Sequence, residues 1–317
     1  IEATSFLVLA VFINLNISPL WSIGVISLFV GLAGGVNAPS WKNMLVDILG
    51  LENVSKGNAV TELVNGLINS ILPPLAAVLL TIFTVSELYW SLPLVSYFSG
   101  LLIFIMVIKL PNQKILENTD DSSLSESIKY VFKNNSIRPI LILGSSLVIW
   151  GITQPLIPVY CRDYLNLDGT GYSLMTTTFF VGNMVGSIIL IIIGKKLATG
   201  KLLSFYIFMY AASSYLFFST TSIIFAAFCL FASGGFITIW VANVFNLLQT
   251  IPEEKYMGRV VSFFFTMFLL IGIGFIVGGI LGQILGINLT ILISCLVIIC
   301  LHLTILLFSK HYRELKL

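Results

Sequence analysis

Near its C-terminal end the chain has forty consecutive residues without a charged side chain, at 269–308: LLIGIGFIVGGILGQILGINLTILISCLVIICLHLTILLF. A helix that crosses a bilayer needs about 20 mostly apolar residues, so this region is long enough for two crossings. We place the predicted crossings at 258–284 and 287–309. The connection between them is only a few residues long, and the two helices are therefore expected to be antiparallel neighbours.

The composition of the whole chain agrees with lipid as its main solvent. Of the 317 residues, 57% are hydrophobic and only 9% are charged, and the mean hydropathy is +1.03. Because a soluble domain carries about 25% charged residues, this chain has too few charges to cover a surface that faces water. The composition excludes a soluble cytosolic enzyme, a disordered protein and a nucleic-acid binder.

Cysteine and histidine are too few and too scattered for a metal site or a disulfide framework. The four cysteines form no CxxC pair, and both histidines, His302 and His311, lie near the C-terminus. We interpret the cysteines as small apolar side chains inside helices. No cofactor is expected.

The same reading along the whole chain predicts an all-α, polytopic membrane protein with about ten transmembrane helices. A linker at 111–137 divides four spans at 1–110 from a bundle of six spans at 138–317. Within the linker, residues 123–134 have the pattern of an amphipathic helix that lies on the membrane surface. The ten predicted spans are 1–16, 18–47, 57–83, 89–110, 138–161, 171–194, 201–217, 220–248, 258–284 and 287–309.

Basic residues indicate the orientation of these spans, because short cytoplasmic loops are enriched in lysine and arginine. If the linker at 111–137 is cytoplasmic, 15 of the 16 basic residues fall at or near the cytoplasmic side, and only Arg162 falls outside. We therefore expect a multi-pass protein of the cell membrane, of bacterial plasma-membrane type, with the linker and the C-terminus in the cytoplasm.

Two groups of residues resemble known sequences. The run NAPSWKNML at 37–45 is followed by Glu52-Asn53 and Asn58-Ala59-Val60, and QTIPEE at 249–254 is followed by Gly258-Arg259-Val260. In this order and spacing they resemble the major facilitator superfamily, in the branch of the enterobactin exporter and the macrolide efflux proteins. The segment Leu72–Ala77 departs from that pattern, because it lacks the glycines that many antiporters carry there.

The resemblance implies a twelve-helix carrier, of which this sequence would lack helices one and two. It implies proton-coupled export of a small organic molecule of drug or siderophore type, by alternating access. By resemblance, Lys42, Asp47 and Arg259 form a charged gate at cytoplasmic helix ends. Solvation of the loops is the alternative explanation for these three charges.

Polar residues inside spans are candidates for substrate binding or proton coupling, because they are costly in lipid. Glu62, Asn65 and Asn69 fall on one face of a single predicted helix. A carboxylate with two amides could bind a polar substrate or carry the coupling proton. Alternatively, Glu62 is an interfacial acid paired with Lys42 or Lys56, and the amides only join helices.

Further candidates lie in three of the C-terminal spans. Trp150 and Gln154 are one helical turn apart and would offer an aromatic face beside an amide to an amphipathic molecule. Asn183 is a polar candidate in the next span, and Trp240, Asn243 and Asn246 share a face in another. Packing between helices is the alternative role for all six.

Glycines at intervals of four residues predict helix faces that approach closely. One such pair and one longer series occur: Gly182 and Gly186, and Gly274, Gly278, Gly282 and Gly286.

The expected function is secondary active transport by a monomer whose partners are a small-molecule substrate, protons and membrane lipid. No nucleic acid and no enzymatic reaction are expected. Three alternatives stay open at this point. They are a truncated remnant that does not transport, a channel, and a membrane enzyme such as a lipid transferase.

Overall fold

A computed structural model describes residues 1–15, 20–109 and 124–315, and within these three ranges the secondary structure consists of α-helices without strands. The all-α prediction is therefore confirmed. The helices are α1 (Glu2–Asn14), α2 (Leu20–Ile82), α3 (Val85–Tyr89), α4 (Ser91–Lys109), α5 (Leu124–Lys133), α6 (Ile137–Gly144), α7 (Leu147–Thr153), α8 (Leu156–Asp163), α9 (Gly169–Leu197), α10 (Gly200–Phe217), α11 (Ile223–Thr250), α12 (Glu254–Thr266), α13 (Leu269–Leu285), α14 (Ile287–Phe308) and α15 (Lys310–Arg313).

Local backbone features divide the longest helical runs. Gly50 has φ 70° and ψ 163° inside α2, a conformation that glycine adopts at little cost. The kink there separates two halves that correspond to the predicted spans 18–47 and 57–83. The predicted span 138–161 is instead broken into α6, α7 and α8. Its second break is at Gln154 and Pro155, where the proline cannot donate the helical hydrogen bond.

Six segments within the described ranges are long and apolar enough to cross a membrane. Several large apolar side chains on them are strongly exposed, for example Ile224 and Phe308, both 85%, as expected for surfaces that face lipid chains. The predicted total of ten spans stays a prediction. The six segments are Ser86–Ile105, Ile137–Asp163, Gly169–Ile193, Ile223–Thr250, Lys255–Leu285 and Ile287–Phe308.

The chain forms two compact units, and the segment Asn43–Pro74 belongs with the C-terminal part of the chain. The first unit contains Ile1–Lys42 and Leu75–Asp121, and the second contains Asn43–Pro74 and Ser122–Leu317. In the first unit α1 packs on α3 and α4. The division at 110 and 137 that the sequence suggested stays a prediction.

Glycine seams hold the second unit together. Where α9 crosses α11, a Cβ at Gly182 would overlap the carbonyl oxygen of Phe231, and one at Gly186 would lie 2.7 Å from that of Gly235. Where α7 crosses α13, a Cβ at Gly274 would overlap the carbonyl oxygen of Val148. The predicted close approach of helix backbones is thus confirmed at both seams.

Gly286 does not belong to this packing stripe, contrary to the sequence prediction. It lies between α13 and α14 with φ 80°, and a Cβ there would meet no atom within 4 Å. Its role is to supply the positive φ of the turn.

The helix predicted at 123–134 is present as α5, which is docked on α12; its place on a membrane surface stays a prediction. The rings of Tyr130 and Tyr256 stack with centroids 4.1 Å apart. The hydroxyl of Tyr256 donates to Oε1 of Glu126 at 2.9 Å. These contacts fix one face of α5 and leave another face available.

Candidate transport site

The second half of α2 carries the polar face that the sequence predicted. Glu62 and Asn69 are half-buried and Asn65 is exposed. The Asn69 side chain donates from Nδ2 to the backbone carbonyl of Asn65 at 2.8 Å. In this conformation the Asn69 amide therefore bonds to its own helix, and Asn65 leaves its side chain accessible.

The same polar face continues toward the start of the helix and joins α2 to α11. Asn58, fully buried one turn before Glu62, donates from Nδ2 to Oδ1 of Asn246 at 2.9 Å and to Oε1 of Gln249 at 2.7 Å. Asn246 in turn donates from Nδ2 to Oγ of Ser55 at 3.1 Å. We call these four residues the amide cluster.

The amide cluster is a moderate link between α2 and α11. Hydrogen bonds between membrane helices contribute about 0.6 kcal/mol each on average, so three of them stabilise the contact by about 2 kcal/mol. That is enough to favour this arrangement of the two helices. The sequence analysis selected Asn246 but not Asn58 or Gln249, although their spacings of four and three residues extend the faces it had identified.

Backbone contact brings α2 close to α9 as well. A Cβ at Gly66 would lie 3.0 Å from the backbone nitrogen of Met184. The neighbouring residue, Asn183, points its Oδ1 toward Gly234 of α11, and this oxygen is buried without a hydrogen-bond partner in the described part of the chain. Asn183 therefore lies in the seam between α9 and α11, next to the helix that carries Glu62.

Trp240 and Asn243 of α11 are completely buried in the second unit. Asn243 donates from Nδ2 to the carbonyl of Ile239 at 2.9 Å, within its own helix. The ring of Trp240 lies 6.3 Å from that of His302, and Nε2 of His302 is 3.2 Å from Oγ of Ser146. His302, which the sequence analysis set aside as isolated, is thus part of a buried polar group; its position inside an apolar span was the signal for it.

Trp150 and Gln154 lie on either side of the end of α7. Gln154 lines a small cavity with hydroxyl groups that include those of Ser214 and Ser233. The cavity volume of about 10 Å³ corresponds to roughly one water molecule, whereas organic ligands occupy pockets of about 300–1,000 Å³. This cavity is therefore too small for an organic substrate in this conformation.

Buried polar atoms without a hydrogen-bond partner coincide with residues selected from the sequence. Five such atoms occur among the described residues: Nε1 of Trp150, Oδ1 of Asn183, Nε1 of Trp240, Oδ1 of Asn243 and Nδ1 of His302. Four belong to residues that the sequence analysis selected. Because buried polar groups are normally paired, these atoms mark positions where a further polar group would be accommodated.

Three residues were predicted to form a charged gate, and the structure describes the side chain of one of them, Arg259. Arg259 donates from Nη1 to Oγ of Ser127 in α5 at 3.0 Å, so it contacts the linker helix. The side chains of Lys42 and Asp47 lie outside the described residues. The described part of the chain also contains no cluster of histidine, cysteine and acidic side chains that could hold a metal ion.

Residues 3–275 match the sequence profile of the Major Facilitator Superfamily. The chain belongs to this superfamily. A crystal structure of a bacterial homologue of the iron transporter ferroportin, in an outward-facing state, is similar with a TM-score of 0.69 and 17% identity, over 98% of this chain and 81% of the other. The fucose:proton symporter of E. coli is similar with a TM-score of 0.61 and 16% identity, over 98% and 80% of the two chains. Comparison with curated protein sequences gave no match.

Membership of the superfamily makes the protein a multi-pass membrane transporter and not an enzyme. The fold shared with two transporters, at identities below 20%, agrees with this conclusion. The helices around the amide cluster and Asn183 therefore belong to a transporter architecture.

Proposed function

We propose that the protein is a secondary active transporter that exports a small organic molecule of drug or siderophore type, coupled to protons, by alternating access across the cell membrane. The amide cluster is the observation that supports the alternating-access part of this proposal. In the proposed arrangement of four plus six spans, α2 belongs to one bundle and α11 to the other, and the grouping of Asn43–Pro74 with the C-terminal part of the chain then reflects contact between the bundles. The cluster then closes the cytoplasmic side, and breaking it opens that side.

One of the similar transporter structures is in an outward-facing state. An outward-facing carrier must be closed on its cytoplasmic side. The hydrogen bonds of the amide cluster are of the kind that would hold that side closed. The proposal places the linker and the C-terminus in the cytoplasm, so that the cluster lies toward the cytoplasmic ends of its helices.

Glu62 is the proposed site of proton coupling. It is the only acidic residue between 53 and 86, it is half-buried, and it lies one turn from Asn58 on the face that carries the cluster. A change of charge at this position acts directly on the helix face that closes against α11. The runs at 37–45 and 249–254 resemble the branch of the enterobactin exporter and the macrolide efflux proteins, and this resemblance supports export of a drug or siderophore.

Efflux from cells that express the full-length gene tests the transport proposal. Dyes, antibiotics and siderophores are offered as substrates, with and without an uncoupler, and efflux is expected to stop when the proton gradient collapses. Glu62→Gln is expected to reduce proton-driven efflux while membrane insertion stays intact. The control is Glu52→Gln, an exposed acid in the same helix half, and efflux that is unchanged by Glu62→Gln at every pH excludes Glu62 as the coupling acid.

Cross-linking tests the amide cluster separately. In a chain without its native cysteines, Ser55→Cys and Asn246→Cys are expected to form a disulfide readily, and a transported substrate should lower the yield by favouring the inward-facing state. Asn53→Cys with Asn246→Cys is the control, because Asn53 is exposed and its amide lies 3.4 Å from Leu49 of its own helix. A disulfide yield that does not change when the substrate is added would contradict the role of the cluster as a gate.

A further inference from the structure

A groove beside α5 combines apolar walls with a single positive charge. It has a volume of about 310 Å³ and lies between α5, α6 and α12. Its lining includes Val131 and Phe132 of α5, Leu141 of α6, Phe263 of α12 and Met267 directly after α12, together with Arg138. The volume is at the lower end of the range for small-molecule pockets, and suits part of an acyl chain.

The charge lies at one end of the groove and the apolar lining runs away from it. Four residues share one face because of their spacing and line the groove: Arg138, Leu141 and Ile142 of α6, and Ser145, which caps its C-terminal end. The rise of about 1.5 Å per residue places Ser145 roughly 10 Å further along the axis than Arg138. Arg138 is the second residue of the membrane-crossing segment Ile137–Asp163, so the charge is at the membrane boundary and the lining enters the span.

Two further cations flank the groove on α5. Lys129 and Lys133 are exposed, as is Arg138, and no acidic side chain in the described ranges forms an ion pair with any of the three. The acid of α5, Glu126, is directed to α12, where its Oε1 accepts from Tyr256 at 2.9 Å and lies 3.6 Å from Nζ of Lys255. Among the described residues, the charged side chains that line or flank the groove are therefore all positive.

We propose that this groove binds an anionic phospholipid, with its phosphate at Arg138 and an acyl chain between α5, α6 and α12. The order of phosphate and chain in such a lipid matches the order of charge and apolar wall along α6. Phe132, 65% exposed, covers the chain from the side of α5. A zwitterionic phospholipid would fill the apolar part equally, but the positive charge of its headgroup offsets its phosphate, so it would gain less from the three cations.

Native mass spectrometry of the purified chain, with dioleoyl phosphatidylglycerol and dioleoyl phosphatidylcholine in competition, measures this preference. Each lysine or arginine near an anionic lipid surface contributes about 1 kcal/mol, which is about a fivefold change in affinity. The first bound phosphatidylglycerol is therefore expected to be retained at least about fivefold over phosphatidylcholine. Arg138→Gln is expected to lower the preference by about fivefold, and Arg138→Lys to keep most of it.

Two variants separate the groove from general charge and general lipid binding. Lys201→Gln removes an exposed cation at the start of α10 and is expected to leave the preference unchanged. Ser145→Phe fills the inner end of the groove and is expected to reduce the first bound lipid of either type. Equal retention of the two lipids by the unaltered chain would overturn the proposal. Equal losses of the phosphatidylglycerol preference in Arg138→Gln and Lys201→Gln would also overturn it. If Arg138→Gln fails to fold, the competition on the unaltered chain still decides the proposal.

Discussion

Replacing Gly274 by alanine tests the seam between α7 and α13, and Gly272 provides a matched control two residues away. A methyl group at Gly274 would overlap the carbonyl oxygen of Val148 and lie 2.8 Å from Cα of Gly151. Carbon atoms pack best at about 3.5–4.0 Å. Because both obstacles are backbone atoms, no side chain can rotate away, and the two helices must move apart by roughly 1 Å to restore that spacing.

The expected magnitude follows from the balance of two effects. Overpacking of this kind costs about 1–3 kcal/mol, and alanine is intrinsically better than glycine in a helix by up to about 1 kcal/mol. At Gly272 a Cβ would meet no atom within 4 Å, so only the second effect acts there. Gly274→Ala should therefore lower the free energy of unfolding by about 1–2 kcal/mol, while Gly272→Ala should leave it unchanged or raise it.

Reversible unfolding in mixed micelles of a mild detergent and SDS measures both free energies on the full chain. Tryptophan fluorescence and circular dichroism should give the same transition for each variant. If the two substitutions had the same effect, the close contact of α7 and α13 would not be a feature of the folded protein, and the packing argument would fail.

Two further predictions concern single hydrogen bonds and use the same unfolding measurement. Ser146→Ala leaves Nε2 of His302 without its partner and should lower the free energy of unfolding by about 1–3 kcal/mol. The control, Ser145→Ala, removes only a bond to the Ile142 carbonyl of its own helix and should change the free energy of unfolding by less than about 0.5 kcal/mol. Similar losses in the two variants would argue against a hydrogen bond to the histidine. Tyr312→Phe removes the contact of the Tyr312 hydroxyl with Oγ of Ser204 at 3.1 Å but keeps the buried ring. We therefore expect the free energy of unfolding to fall by about 1 kcal/mol and backbone amide hydrogen exchange around α15 to become faster. Unchanged exchange would show that the hydroxyl does not stabilise this region.

Long apolar runs made most of the helices predictable. Lipid cannot hydrogen-bond to the backbone, so an apolar run of about 20 residues must satisfy its own polar groups as a helix. The same local logic predicted α5 from its amphipathic pattern and the close seams from glycine spacing. It failed at Gly286, because the pattern of four continues through a residue whose backbone conformation ends the helix.

The candidate site was predictable only residue by residue. The cost of a polar group in lipid identified Asn183, Trp240 and Asn243 as unusual, and each has a buried polar atom without a partner. The same reasoning gave no partner for these three residues, and it did not select His302.

The sequence by itself therefore determined that the chain is a helical membrane protein, which faces of its helices are polar, and where backbones can approach. Those properties depend on the side chains within one or a few turns and on the solvent around them. Only the tertiary structure decided that Asn58 meets Asn246, 188 residues away, that His302 lies beside Ser146, and that Arg138 opens onto an apolar groove. Such pairings depend on which helices pack together, and spacing along a single helix carries no information about its neighbours.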